Sequence, residues 1–296
     1  MKTRSGLRNW RETGPGADGS RACAADFRGL RLKLAGALLL ALLALLAGLM
    51  GCRAAVKPTP PVPELTAEQI LSRLRARPVA LNTFEARGRL TLISPQQNAT
   101  GTALLKGRLP ETLKVTLKDP LGRTVLEFAT DGRTVEILFP RENKLLRGPA
   151  TPANLAAFIP PGVTVPQALQ LLIGDLPLSS GPPTRLQAKP GEGIYVLEWE
   201  KGAGSLQERL WVDARNFEPR KVEWYGSGGS PAFSAELGEF FGGPGGWPQQ
   251  LKLVTPSPQP VELRLVYKDF TPNPSLNPGD LEVSRPPGVA VLPLKP

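Results

Sequence analysis

Cys52 is the residue of this sequence that is best placed for covalent chemistry. It follows the 17 uncharged residues 34–50 and the small residue Gly51, and it is preceded by eight Lys or Arg residues but only three acidic ones. The order basic, apolar, small, cysteine is typical of an export signal that a peptidase removes. It predicts an export signal that ends near Cys52, and the thiol of Cys52 is a nucleophile that a modifying group can use.

The residues at the end of this predicted signal resemble a known bacterial motif. Leu49-Met50-Gly51-Cys52 resembles the lipobox, which implies that residues 1–51 are a lipoprotein signal peptide and that Cys52 carries the lipid anchor. The alternative is that the apolar run is a short membrane-spanning helix. The basic residues before it predict the same orientation in the membrane for a signal peptide and for such a helix. The 33 residues before the apolar run are long for a signal, so we expect translation to begin downstream of Met1.

A proline-rich tether follows the predicted cut. Residues 52–64 contain four prolines, and such sequence is extended and semi-rigid. It should hold a folded domain, residues 65–296, away from the bilayer. Residue 53 is Arg, whereas an Asp there is the usual signal for retention in the inner membrane. The sequence therefore favours the periplasmic face of the outer membrane.

The composition argues against most catalytic and metal chemistry. The chain has no histidine, and of its two cysteines only Cys52 follows the predicted cut. Ser-His-Asp and Cys-His catalysis are therefore excluded, the commonest metal ligand is missing, and the mature chain cannot form an internal disulfide. Carboxylates alone could still catalyse a reaction, but we find neither a Gly-rich phosphate loop nor an acidic cluster. We expect no enzyme activity, no metal and no cofactor.

The net charge gives no indication of a nucleic-acid partner. The formal charge is +10, but half of the excess lies before Cys52 and the rest is spread along the chain without a basic run. A nucleic-acid-binding protein would need a clustered basic face. A mildly basic surface suits contact with anionic lipid instead.

Apolar and polar residues alternate in five consecutive segments between residues 84 and 139, which predicts an antiparallel meander with one apolar face. Turns are predicted at residues 119–122 and at Asp131-Gly132. The apolar face would line a cavity with Phe84, Leu90, Leu92, Leu105, Val115, Leu117, Leu126, Phe128, Val135 and Ile137. The alternative is that these side chains pack only against one another.

Three helices and a second block of strands complete the predicted elements. Helices are expected at residues 66–77, 151–158 and 165–173, each beginning at a capping threonine or just after one. Strands are expected at 193–201, 206–212, 220–225, 232–240, 250–254 and 261–270, which makes about eleven strands in all. Three short helices cannot cover so large a sheet. The uncovered part must either close on itself as a barrel or leave an apolar cavity.

Residues 82–178 resemble the LolB family of outer-membrane lipoprotein receptors. The resemblance is carried by the segments Phe84–Ser94 with Gln96-Gln97, Leu117–Thr124 with Leu126-Glu127, Thr164–Pro166, and Leu169–Gly174 with Leu176-Pro177. Later segments are similar to the broader LolA-type carriers, namely Arg209–Asp213, Pro219–Val222 and, in the tail, Leu281–Val283 with Pro287–Val289. The tail, residues 271–296, has no obvious counterpart in LolB.

The resemblance implies a mainly β fold, a half-open antiparallel barrel plugged by short α-helices around a hydrophobic cavity. It implies acylated lipoproteins or lipid as cargo, a periplasmic LolA-type carrier as donor, and a monomeric protein. By its motif Leu121 is expected to protrude and enter the bilayer when cargo is delivered, the alternative being a turn residue folded onto the core. A different class of function also stays open, a structural or envelope-assembly lipoprotein with a packed barrel and a protein partner.

Overall fold

The computed structural model describes residues 62–295, apart from 77–79, 97, 157, 160–162, 203, 227–228, 243–245 and 257–258. The predicted signal peptide, Cys52 and nearly all of the tether lie outside the described residues. Within the described part, no helix has the length and hydropathy that a membrane-spanning helix needs.

Three α-helices lie within the described residues: α1 (Ala67–Arg75), α2 (Pro152–Leu155) and α3 (Val165–Leu172). Each begins where a threonine side chain accepts a hydrogen bond from the backbone N–H three residues further on, which satisfies a free donor of the first turn. These caps are Thr66, Thr151 and Thr164. The predicted helix starts are confirmed, whereas α2 is shorter than its predicted range of 151–158.

In the part of the chain that the structure describes, the strands form one sheet of 14 strands, in the order β14-β6-β5-β4-β3-β2-β1-β13-β12-β11-β10-β9-β8-β7. All neighbours are antiparallel except β14 and β6. The strands are β1 (Thr83–Ile93), β2 (Asn98–Arg108), β3 (Thr112–Lys118), β4 (Thr124–Thr130), β5 (Thr134–Phe139), β6 (Lys144–Pro149), β7 (Arg185–Lys189), β8 (Ile194–Lys201), β9 (Ser205–Asp213), β10 (Pro219–Tyr225), β11 (Pro231–Phe241), β12 (Trp247–Thr255), β13 (Val261–Pro272) and β14 (Ala290–Pro293).

Two predictions about the sheet need correction. The count of about eleven strands is too low, because β6, β7 and β14 were not predicted. The sheet of the described residues also is not closed into a barrel, since β14 and β7 are its two edges. The missed strands are short and lack a clear alternation. In β6 both Leu145 and Leu146 pack on apolar neighbours, one on each side of the sheet.

The inner face of the sheet packs against the helices in one apolar core, to which strands on both sides of the β1–β13 pair contribute. This face carries Phe84, Phe128, Leu210 and Leu265. Ile70 of α1 and Leu169 of α3 are fully buried in this core. Two tyrosines of the sheet fix the helical layer through their hydroxyl groups. Tyr267 donates to the Leu172 carbonyl at 2.8 Å, and Tyr195 donates to the Pro63 carbonyl at 2.6 Å.

Residues 273–295, which we call the C-terminal strap, cross the opposite, outer face of β4 to β6. Val283 is buried against Ala129, Leu138 and Leu145. The backbone N–H and the hydroxyl of Ser284 donate to Glu127 at 2.7 and 2.9 Å. Strand β14 then pairs with β6 and ends the sheet. The tail that has no obvious counterpart in LolB is therefore an integral part of this fold.

Candidate functional site

Leu121 is the most exposed of the large apolar side chains in the described part of the chain, at 77%. It lies at the tip of the β3–β4 hairpin, in residues 119–123, which we call the leucine turn. Gly122 has a φ of +81°, a conformation that a side chain would strain. The predicted turn is confirmed, and it places the side chain of Leu121 in solvent rather than on the core.

Asp119 holds the leucine turn in place. Its Oδ1 accepts hydrogen bonds from the backbone N–H groups of Leu121 at 2.9 Å and Arg123 at 3.0 Å. Its Oδ2 accepts from Arg123 Nε at 2.8 Å and from Arg141 Nη2 at 2.6 Å. Desolvation alone would raise the pKa of Asp119, but the hydrogen bonds and charge of Arg123, together with the Leu121 N–H, hold it below its ordinary value of 3.8. The turn is therefore held by an ionised carboxylate.

The surface around Leu121 carries positive charge. The side chains of Arg123 and Arg141 are 63% and 58% exposed although both contact Asp119. Two guanidinium groups share one carboxylate, so this cluster keeps a net positive charge. An exposed leucine beside exposed cations is the combination expected at the surface of an anionic membrane.

All ten residues predicted to line a cavity face the inner side of the sheet, but the structure divides them into two groups. Phe84, Leu105, Phe128, Val135 and Ile137 are buried. Leu90, Leu92, Val115, Leu117 and Leu126 are only partly buried. The buried residues belong to the packed core, whereas the side chains of the partly buried residues are still accessible to solvent.

The accessible group lies toward the leucine turn. Strands β1 and β3 run in the same direction, since each pairs antiparallel with β2. Leu92 and Leu117, one residue before the ends of these strands, therefore lie at the end of the sheet from which the leucine turn projects. We call this the leucine end. The inner face is thus accessible near the leucine end and tightly packed farther from it. The role of these residues in lining a binding cavity stays a prediction.

A small apolar cavity lies between α3 and the second half of the sheet. It has a volume of about 160 Å³, and its lining consists of Val163, Gln167, Leu171, Pro177, Trp224, Ala232 and Phe233. Trp224 is near the end of β10, which the alternation of strand directions places at the leucine end. Ligand pockets usually measure roughly 300–1,000 Å³. A long acyl chain would therefore require α3 or the segment after it to move outward.

Glu208 is a buried inner-face residue that the sequence prediction did not single out. It is 0% exposed and lies on β9, on the same face of the sheet as the core residue Leu210. Ser179 donates to its Oε2 through the backbone N–H at 2.8 Å and the hydroxyl at 2.6 Å. Burial raises the pKa of Glu208, and the bonds from Ser179 only partly oppose this. The alternation of apolar and polar residues along β9 could have identified Glu208, because this glutamate stands at a position of the alternation that faces the core.

The described residues contain no group of three or more His, Cys, Asp or Glu side chains arranged to hold a metal ion. Their buried carboxylates other than Glu208 are engaged with neighbouring groups. Asp213 accepts from Arg220 at 3.0 Å, and Glu136 accepts from Arg285 at 2.8 Å. The geometry of the inner face suits noncovalent binding of an apolar molecule.

No protein-family model matches the chain, and no curated protein matches it. Several solved structures resemble it, including the following three. A LolA superfamily protein from Nitrosomonas europaea is 16% identical, with a TM-score of 0.48 over 74% of this chain and 99% of that chain. An outer membrane lipoprotein-sorting protein domain from Vibrio parahaemolyticus is 16% identical, with a TM-score of 0.49 over 72% and 94%. A DUF1329 family protein from Desulfovibrio piger is 10% identical, with a TM-score of 0.50 over 73% and 94%, a likeness of fold alone.

Proposed function

We propose that this chain is a lipid-anchored lipoprotein of the outer membrane that binds an acylated, apolar ligand on its inner face and passes it to the bilayer. The observation that carries the proposal is Leu121, a large apolar side chain held in solvent by a hydrogen-bonded turn. Exposing a leucine forgoes roughly 1.5–3 kcal/mol that burial would supply. Insertion among acyl chains recovers part of this free energy, which gives the exposed side chain a use.

Two further observations support transfer toward a membrane. The partly buried residues of the inner face, such as Leu92 and Leu117, lie at the end that carries Leu121, so a ligand leaving this face would pass the leucine turn. The exposed guanidinium groups of Arg123 and Arg141 would contact anionic head groups there. The sequence resemblance to LolB over residues 82–178 points to the same activity, and a LolA-type periplasmic carrier is the donor that it implies.

Transfer to liposomes tests the role of Leu121. The full chain, loaded with an acylated lipoprotein, is mixed with vesicles of phosphatidylethanolamine and phosphatidylglycerol, and vesicle-bound cargo is measured. Leu121→Glu should slow delivery about tenfold, because a carboxylate resists entry into the bilayer, while stability stays within about 0.5 kcal/mol. Val266→Glu is the matched control, since Val266 is also exposed but lies within β13. Equal delivery by both variants would contradict the proposal.

The lipid anchor needs its own test because Cys52 lies outside the described residues. Cys52→Ala should leave an uncleaved or soluble precursor, since the thioether has no other thiol to form on after the predicted cut. Cell fractionation measures this, and normal cleavage with full recovery in the membrane fraction would disprove the anchor.

One observation favours the second candidate function, an assembly lipoprotein with a protein partner. Val291 and Leu292 of the edge strand β14 are exposed apolar residues, and edge strands can pair with another chain. Under that function Val291→Glu would abolish capture of an envelope protein, whereas Leu121→Glu would leave transfer to liposomes unchanged.

A further inference from the structure

The carboxylate of Glu208 has one oxygen that is paired and one that is not. Its Oε2 accepts both hydrogen bonds from Ser179. Its Oε1 is buried and has no hydrogen-bond partner among the described residues. In its ionised form the carboxylate can only accept hydrogen bonds, so Oε1 is then a buried acceptor without a donor. Such an acceptor is unfavourable, so a ligand group that donates a hydrogen bond to Oε1 would be stabilised there.

Glu208 has apolar neighbours on both adjacent strands and lies near the small apolar cavity. Glu208 is paired in register with Trp199 on β8 and with Trp224 on β10. Residues directly opposite each other in a sheet have Cβ atoms about 4.5–5.5 Å apart. Trp224 and Pro177 both line the 160 Å³ cavity, and Ser179, two residues after Pro177, is bonded to Glu208. Glu208 does not itself line the cavity, but its neighbour Trp224 does, and so does the loop whose Ser179 is bonded to it.

Three hydrogen bonds hold the loop over this region. Ser179 donates two of them to Glu208, and Trp199 Nε1 donates the third to the Gly181 carbonyl at 3.2 Å. We call residues 176–181 the lid segment. It connects α3 to the edge strand β7, so it can move outward without breaking the pairing of the central strands. Outward movement would enlarge the cavity toward Glu208.

We propose that Glu208 is the polar recognition point of the apolar site and that it selects ligands whose head group donates a hydrogen bond, such as the N–H of an acyl amide. The inference rests on the proposed function, because it assumes that the inner face binds an acyl chain. A fatty amide would place its chain along the leucine end and its N–H at Oε1. An ester of the same length has no donor, so it would leave the buried oxygen unsatisfied.

The test compares lauramide with methyl laurate, two uncharged probes with the same chain and a carbonyl group each. Their affinities are measured on the full chain, in mild detergent, by displacement of bound anilinonaphthalene sulfonate. The wild-type protein should bind lauramide about tenfold more tightly than methyl laurate. Glu208→Gln has the same shape and can still accept from Ser179, but its amide group becomes a donor to either carbonyl. It should bind both probes within about twofold of each other.

The control variant is Glu236→Gln, which changes a glutamate on the outer face that contacts Lys252. It should keep the tenfold preference. A purely structural role of Glu208 would weaken both probes equally and leave the preference unchanged in Glu208→Gln, which would overturn the inference. If Glu208→Gln does not fold, the test rests on the ratio of the two probe affinities in the wild-type protein. A ratio near one overturns the inference but leaves the proposed function intact. If neither probe displaces the dye from the wild-type protein, the proposed function fails as well.

Discussion

Phe84 and Gly107 lie opposite each other on strands β1 and β2, and the ring of Phe84 occupies the space that a side chain at position 107 would need. A Cβ atom on Gly107 would lie 2.1 Å from Phe84 Cε1. Phe84 is 0% exposed and stacks on Phe270 with ring centroids 5.7 Å apart, so it has no free space into which to move.

Gly107→Ala should therefore destabilise the domain by roughly 1–3 kcal/mol, as overpacking of a filled core does. Thermal unfolding followed by circular dichroism measures the effect. Gly191→Ala is the matched control, because no atom lies within 4 Å of a Cβ at that position, and it should change stability by less than about 0.5 kcal/mol. Similar melting temperatures for the two variants would refute the packing described for Phe84.

Leu92 and Phe128 both face the inner side of the sheet, and a glutamate at each should have a different effect. Phe128→Glu would bury an unpaired charge and destabilise the fold by at least about 3 kcal/mol. At the partly buried Leu92 the carboxylate can reach water, so Leu92→Glu should keep the fold and weaken binding of an acyl probe. Melting curves and dye displacement measure the two effects. Equal loss of stability at both positions would argue against an accessible inner face at the leucine end.

The C-terminal strap should contribute to stability through Val283. Val283→Ala removes methyl groups from the buried cluster on the outer face, and we expect a loss of roughly 1–3 kcal/mol in the free energy of unfolding. Val291→Ala, in the exposed strand of the same strap, should have little effect. Urea denaturation of both variants gives the comparison. A strap that packs loosely would make the two indistinguishable.

The stability of the leucine turn should depend on pH through Asp119. The pKa of Asp119 is below its ordinary 3.8 in the folded chain, so its contribution is fully present above that pH and is lost as the pH falls through the lower folded value. Asp119→Asn should therefore lower the melting temperature at neutral pH, and its difference from the wild type should shrink as the pH decreases below 3.8. Melting curves at a series of pH values measure this. A difference that does not change with pH would mean that the charge of Asp119 is irrelevant.

The sequence predicted the features that depend on neighbouring residues. The caps at Thr66 and Thr164 and the turn at Asp131-Gly132 are local, since each needs only a side chain and a backbone group a few residues away. The side of the sheet on which Phe84 and Phe128 lie follows from a period of two. The exposure of Leu121 follows from its position at a tight turn.

Features that depend on contacts between distant residues could not be predicted. The pairing of β14 with β6 and the burial of Val283 join segments that are more than a hundred residues apart, and neither segment has a distinctive pattern of its own. The division of the inner face into buried and accessible residues depends on where the helices lie, which the alternation does not specify. Glu208 could have been noticed as a glutamate at an inward position, but its pairing with Ser179 could not.

The pairing of β1 with β13 has a consequence for how the chain acquires its structure. Phe84 is in register with Pro272, and Ile93 with Glu262, so the first strand of the domain finds one of its two neighbours only when almost all of the domain is available. Until then β1 has one unpaired edge, which can pair with other chains. Pairing of such distant segments is slow, because a long loop must close before any contact stabilises it. A chain that emerges from a translocation channel in order, from its first residue to its last, would therefore remain incompletely folded until its final strands had passed through.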